Sequence, residues 1–286
     1  MRLTVRGDTA LVFDDGAPVR AASAVAPFGD GWLIAQDDAT HAAWRRPGST
    51  VPVRVAEPVE GFDVFSSAAG TKHLKPDFEA AVPVGEGVLL LGSGSTPARM
   101  RASLVTAGGF TVTDLSSLYR RIAAAFGIPL ELLNLEGACL AGDRLRWFQR
   151  GTPTFCADVD LNALSSSEIF DVRRYDLGHV DGVPLAVTDA VALGDGLILV
   201  SAAAEDTPNP VDDGPVVGAA LVLLDDHSVL DAVALPEKTK VEGLAVRATT
   251  AGGLGLLAVV DADDPVIPSR ELDLYLELSR GRGCAA

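Results

Sequence analysis

T-D-A-V-A-L-G-D-G-L-I-L-V, residues 188–200, reads as two apolar strands folded back on a Gly-Asp-Gly turn. Such a turn supplies the positive-φ positions that a two-residue hairpin demands. The same grammar recurs along the chain. S-A-V-A-P-F-G-D-G begins at Ser23, E-A-A-V-P-V-G-E-G at Glu79 and E-G-A-C-L-A-G-D-R at Glu136. A fifth copy, E-G-L-A-V-R-A, begins at Glu242, with a longer loop over 249–253 in place of the tight turn. The reference residues Ser23, Glu79, Glu136, Thr188 and Glu242 stand 56, 57, 52 and 54 positions apart. A unit that cannot bury its apolar face alone, repeated at a steady period, calls for an architecture that stacks units.

Each hairpin continues into a second strand, at 32–35, 88–91, 145–148, 197–200 and 254–260. Polar loops follow, three of them with a Thr-Pro step (Thr96-Pro97, Thr152-Pro153, Thr207-Pro208) and the last with Asp264-Pro265. Third strands come next, as at 219–224 and 272–278. Four short strands per repeat with turn signals between them are the mark of propeller blades. The expected fold is therefore all-β, a five-bladed β-propeller in one domain over 1–286; a six-bladed count fits the five repeats less well. The fifth repeat runs out after its third strand, so residues 2–5 or 10–13 are expected to supply its outer strand and close the ring, removing two open sheet edges. One helix interrupts the pattern at 116–126, with Leu118, Ile122 and Phe126 on one face and Gly127 at its end. The tail 280–286 is expected to be disordered.

The formal net charge is −16, and no stretch gathers basic residues into a stripe, so a nucleic-acid surface is not expected. No window holds the ~18–20 uninterrupted apolar residues that a membrane helix needs. Charges at Arg2, Arg6, Asp8, Asp14 and Asp15 argue against a secretory signal. Cys139, Cys156 and Cys284 are odd in number and lack metal-ligand spacing; two lie in apolar strands as buried free thiols. A soluble, cytoplasmic monomer is the expectation.

In a propeller the innermost strands line the central channel, and the reference residues begin those strands. Ser23, Glu79, Glu136, Thr188 and Glu242 should then form one layer around the axis, with Asp189 the alternative to Thr188. Three carboxylates converging there must be protonated, be paired, or hold a cation. An all-oxygen set suits Ca²⁺ better than Zn²⁺. Acidic residues at strand starts also serve as partners of the neighbouring blade's backbone amides. The chain's four lysines, Lys72, Lys75, Lys238 and Lys240, all lie just upstream of ring glutamates, where they balance the carboxylates or receive an anion. The second-to-third-strand loops share the ring's face. They hold Asp37 and Asp38, Ser93 and Ser95, Gln149 and Arg150, Glu205 and Asp206, and the run from Asp261 through Asp263 to Asp264. Arg150, then Arg99, are the arginines expected to meet an anion there, beside Lys75 and Lys240. The Asp261 run lacks the spacing and terminal Glu of an EF-hand loop. No nucleophile elbow, phosphate loop or His-Glu-x-x-His motif is present, and His41, His73, His179 and His227 are scattered.

The ring order Ser, Glu, Glu, Thr, Glu resembles the calcium-activated nucleotidases, or apyrases, whose five-bladed propellers hold one Ca²⁺ in the tunnel beneath a nucleoside diphosphate. The E-G-A and E-G-L strand starts, with the L-L-L-G-S-G-S-T-P and D-D-P loops, are similar to an uncharacterised bacterial propeller family. Lactonase-type and strictosidine-synthase-like propellers compare less well, because this chain offers only Asn134 toward their asparagine ligands. The resemblance implies a Ca²⁺-dependent hydrolase of a small anionic phosphate or ester. The alternative is a binding propeller, without enzymatic activity, whose metal is structural or absent.

Overall fold

The Gly-Asp and Gly-Glu pairs do close hairpins, in a computed structural model that describes residues 1–212, 214–262, 264 and 266–278. Phe28 pairs with Gly31 across a two-residue turn in which Gly29 takes φ +56°. In blade 4 both central residues, Asp195 and Gly196, have positive φ, at 51° and 76°. The 249–253 segment differs from expectation: Thr250 pairs with Gly253, so the strands lengthen and the connection is again two residues.

Five separate sheets result. Blade 1 comprises Ala22–Phe28, Gly31–Gln36, His41–Arg46 and Ser49–Arg54. Blade 2 comprises Phe78–Val84, Gly87–Gly92, Arg101–Thr106 and Gly109–Asp114. Blade 3 comprises Leu135–Ala141, Arg144–Gln149, Thr154–Asp160 and Ile169–Tyr175. Blade 4 comprises Val183–Gly194, Leu197–Glu205, Val216–Leu224 and Val229–Ala234, with a short fifth strand, His179–Val180, beside its first. Blade 5 joins Gly243–Thr250, Gly253–Val260 and Arg270–Glu277 to Arg2–Ala10. Arg2 lies opposite Glu277 and Ala10 opposite Arg270, so the first of the two candidate segments closes the ring. The inner strands touch one another in a closed cycle. The chain is a five-bladed β-propeller.

The core is five apolar wedges, each shared by neighbouring blades. Leu33 and Ala35 of blade 1 meet Val88 and Leu90 of blade 2, and Leu199 and Leu221 of blade 4 meet Leu256 and Leu274 of blade 5. Truncating any one of these buried leucines to alanine costs about 2–5 kcal/mol. The helix Ser116–Phe126 enlarges the wedge between blades 2 and 3 with Leu118, Tyr119, Ile122 and Phe126. Gly127 at φ +69° ends it, and the N–H groups of Gly127 and Ile128 donate to Ala124 O and Ala123 O.

A buried ion network ties blade 3 to blade 4. Arg146 donates through Nε and Nη2 to both oxygens of Asp158, at 2.7 and 2.9 Å. Arg173 Nη1 reaches Asp158 at 2.7 Å, and Arg146 Nη1 reaches Asp226 at 2.6 Å. Cys139 and Cys156 are buried free thiols, and burial pushes Cys156 up to about 12. Cys284, Asp263, Pro265 and the 280–286 tail lie outside the described residues. Among the described residues no helix is long and apolar enough to cross a membrane.

Candidate functional site at the channel mouth

At the inner strands the ladder skips a residue. Pairing shifts between Ala22 and Ala24, Phe78 and Ala80, Leu135 and Ala138, and Val187 and Asp189. The residues passed over are Ser23, Glu79, Glu136 with Gly137, and Thr188. A bulge takes a residue out of the pairing and re-aims its side chain, and here it does so at the reference positions. Thr188 does not begin its strand, which starts five residues earlier at Val183. Glu242 stands just before its strand and its N–H donates to Val259 O at 2.9 Å. The glycine of each Glu-Gly pair is a close-approach residue. A Cβ on Gly137 would come within 2.7 Å of the Asp189 backbone, and one on Gly243 within 2.8 Å of Ala24.

The ring hydroxyls and ring carboxylates part ways. Ser23 Oγ donates to Phe78 O at 2.6 Å, and Thr188 Oγ1 to Val241 O at 2.5 Å. Each acceptor immediately precedes the ring glutamate of the next blade, so these hydroxyls clasp neighbouring blades. Asp189 accepts from the Leu244 N–H at 2.7 Å and its own neighbour Ala190 at 2.8 Å. The amide-partner role foreseen for acidic residues thus falls to Asp189.

A polar cavity of about 110 Å³ opens at the mouth. Ser23, Glu79, Glu136 and Glu242 line it, as do Lys75, Arg99, Arg150 and Lys240; Thr188 and Asp189 do not. Asp37, Asp77, Asn134 and Asp261 complete most of its polar wall. Asp77, Asn134 and Lys240 each stand two residues before a ring glutamate. That shared offset from the ring glutamates is the sequence signal that marks Asp77, which is absent from the expected site residues.

Backbone bonds fix the carboxylates. Asp37 N–H donates to Ala21 O at 3.0 Å, Asp77 N–H to Asp37 O at 3.1 Å, Ser93 N–H to Asp77 O at 3.0 Å and Leu135 N–H to Ser93 O at 2.7 Å. This relay crosses blades 1, 2 and 3 and holds Asp77 at φ +59°, in a region that few non-glycine residues adopt. On the blade 1–2 side, Lys75 Nζ joins Asp37 Oδ2 to Asp77 Oδ1, the latter at 2.5 Å. Arg99 Nη1 meets Asp77 Oδ2 at 3.0 Å, and the Ser93 hydroxyl donates to the same oxygen. On the blade 3–5 side, Arg150 joins Glu136 (3.0 Å) to Glu205, while Lys240 joins Glu205 (3.2 Å) to Glu242 (2.9 Å). Asn134 Nδ2 donates to Glu136 Oε1 at 3.0 Å. Asp261 accepts from the Ala21 N–H at 2.9 Å and the Ser269 hydroxyl at 2.8 Å.

Two carboxylates break the pattern. Glu79 makes no hydrogen bond or ion pair among the described residues, and Glu136 Oε2 is buried without a partner. The donor oxygens of Asp37, Asp77 and Glu79 lie within 4.8 Å of one another. Burial pushes Glu79 well above the usual carboxylate range, and the charges of Asp77 and Asp37 push it further, against the pull of Lys75. Burial raises Asp37 as well, against Lys75. Asp77 goes the other way: burial would raise it, but Lys75 and Arg99 together outweigh that and hold it low. Burial carries Glu242 up to about 7 despite Lys240. Desolvation opposes the charge on Lys75 and Lys240, yet the surrounding carboxylates keep both ammoniums firmly protonated.

Fold and site together define a propeller with an acidic, ion-paired channel mouth. The chain belongs to DUF6910, a family of unknown function, whose profile matches residues 71–265. This agrees with the resemblance to an uncharacterised propeller family. Among the curated proteins no sequence matches. Among solved structures it is similar to a luciferin-regenerating enzyme, at 9% identity over 96% of both chains with a TM-score of 0.50. It is also similar to a putative glycoside hydrolase from Parabacteroides distasonis, at 10% identity over 89% of this chain and 86% of that one, with a TM-score of 0.51. Identities this low speak for the fold alone.

Proposed function

We propose that this chain is a calcium-binding propeller whose ion sits at the channel mouth on Asp37, Asp77 and Glu79. The observation that carries this reading is the convergence of those three carboxylates, one of them unpartnered, within 4.8 Å. Calcium takes oxygens at about 2.3–2.6 Å, so ligands on opposite sides of the ion stand up to about 5 Å apart. Glu136, 5% exposed and with Oε2 lacking a partner, lines the same cavity and adds negative charge to it. Ser23 and Glu242 of the expected ring lie around this set; Thr188, spent on the next blade, falls outside it in this reading.

The ion's role in this proposal is to join blades rather than to activate water. A phosphate or ester hydrolase of the nucleotidase kind needs side-chain cations beside the ion to receive its substrate, and Arg99, Arg150 and Lys240 are each engaged by carboxylates. A non-enzymatic binding module therefore has more support than a hydrolase. The test is thermal melting with Ca²⁺ or with EDTA, alongside metal analysis. Calcium at 100 times its Kd contributes about 2.7 kcal/mol, which for a chain of this size raises Tm by about 4–5 °C. Identical melting curves in calcium and chelator would sink the proposal.

A further inference from the structure

Lys75 stands where the proposed ion would act. Its ammonium bonds a carboxylate from each of two blades, and its side chain is only 10% exposed. A lysine buried in this way is usually a permanent structural cation, but three features set this one apart. First, the Asp77 carboxylate and the backbone of Asp37 do not depend on it for their positions. The Asp77 N–H donates to Asp37 O, and Ser93 and Arg99 hold Asp77 Oδ2 independently. Second, Lys75 is delivered by a loop. It follows the single 3-10 turn Lys72–Leu74, with extended backbone at φ −58° and ψ 144°, and Lys72 and His73 beside it are exposed. Its four-carbon stem can therefore swing without unpairing a strand. Third, the Lys75 ammonium and the Arg99 guanidinium together carry two positive charges against three carboxylates. Glu79 is left unpartnered beside it, and Glu136 Oε2 is buried nearby without a partner.

We propose that Lys75 is a tethered counter-cation, which holds the Asp37–Asp77 pair until a divalent cation displaces it and so sets the affinity of the site. This inference rests on the calcium reading above. The chain thereby carries a competitor for its own ion, covalently attached and always present. The divalent ion, with twice the charge, satisfies Asp37 and Asp77 and also engages Glu79, which the ammonium leaves without a bond. The ammonium, once displaced, moves toward the open cavity, and the cost of that exchange appears as weakened calcium affinity.

The experiment is calorimetric titration of Ca²⁺ into chelator-stripped wild type, Lys75→Met, Lys75→Arg and Lys240→Met. Lys240→Met removes one positive charge from the blade 4–5 side of the same cavity, so it reports the general field. Lys75→Met is expected to bind calcium roughly 10- to 100-fold more tightly than wild type, the usual size of coupling between two mutually exclusive ligands. Lys240→Met should gain far less, and Lys75→Arg should bind no more tightly than wild type. Lys75→Met leaves carboxylates uncompensated, so its fold in chelator is expected to weaken and to recover in millimolar Ca²⁺. Failure to recover with calcium overturns the inference, as does a gain in Lys240→Met equal to that in Lys75→Met. Equal affinity in wild type and Lys75→Met also overturns it while leaving the calcium site standing. Absence of binding in all four proteins removes the calcium reading itself.

Discussion

Replacing Glu79 by glutamine should stabilise the metal-free protein and abolish its response to calcium, two effects of opposite sign. Glu79 lies within 4.8 Å of the Asp37 and Asp77 donors. At an effective dielectric constant near 20, each carboxylate pair at that spacing repels by about 3 kcal/mol, and Lys75 returns roughly one such amount. One uncompensated repulsion remains, partly relieved by protonation and local relaxation. The expected gain for Glu79→Gln without metal is therefore about 1–3 kcal/mol at pH 8, comparable with the cost of a buried polar group left unsatisfied. The pH dependence follows from the raised carboxyl. A group whose folded value lies above its ordinary 4.5 contributes its stability while protonated and loses it as pH rises through the folded value. The advantage of Glu79→Gln should thus be largest at pH 8 and fade toward pH 5. Urea denaturation at both pH values, in EDTA and in calcium, reads all four corners. A variant less stable than wild type in EDTA at pH 8 would refute the electrostatic reasoning, because it would mean that Glu79 makes a bond worth keeping.

Thr188→Val removes the hydroxyl that clasps blade 5 and should cost about 1–2 kcal/mol in urea denaturation while leaving calcium affinity unchanged; a tenfold loss of affinity would restore the five-residue ring as the ligand set. Asp158→Asn takes the shared carboxylate from Arg146 and Arg173, leaving Asp226 to the first and Asp171 to the second, and should cost about 1.5–3 kcal/mol at pH 7. Burial alone would raise Asp158, but its two arginine partners outweigh burial and hold it below 3.8. Its contribution is therefore present above that value and lost as pH falls, so the penalty measured by thermal melting should shrink on acidification below about 4.

The blades were legible because a propeller repeats its hairpin, and the two-residue turns at Gly29, Gly85 and Gly142 are local chemistry. The helix at 116–126 was legible for the same reason, since its apolar spacing and Gly127 lie within one short window. What escaped was relational. Thr188 and Asp189 were set beside the glutamates by register, but the strand in blade 4 begins at Val183, and both side chains bond the neighbouring blade. Asp77 was hidden by the loop that carries it. Its importance depends on Asp37, forty positions earlier and in another blade, and no local pattern encodes that meeting. The loop over 249–253 was misjudged because Thr249 and Thr250 read as turn residues, whereas pairing with Gly253 and Leu254 kept them in the strand.

The strand Arg2–Ala10 finds its partner, Arg270–Glu277, about 260 residues later. On a ribosome adding roughly 5–20 residues per second, that first strand waits roughly a quarter of a minute to a minute for its mate. A strand left waiting is a hazard for its neighbours on a polysome, each of which carries the same unpaired edge. The sequence R-L-T-V-R-G-D-T-A suits that interval: it intersperses Arg2, Arg6 and Asp8 with Leu3, Val5 and two threonines, and bulges at Arg6. Closing the propeller thus joins two strands whose synthesis is separated by that whole interval.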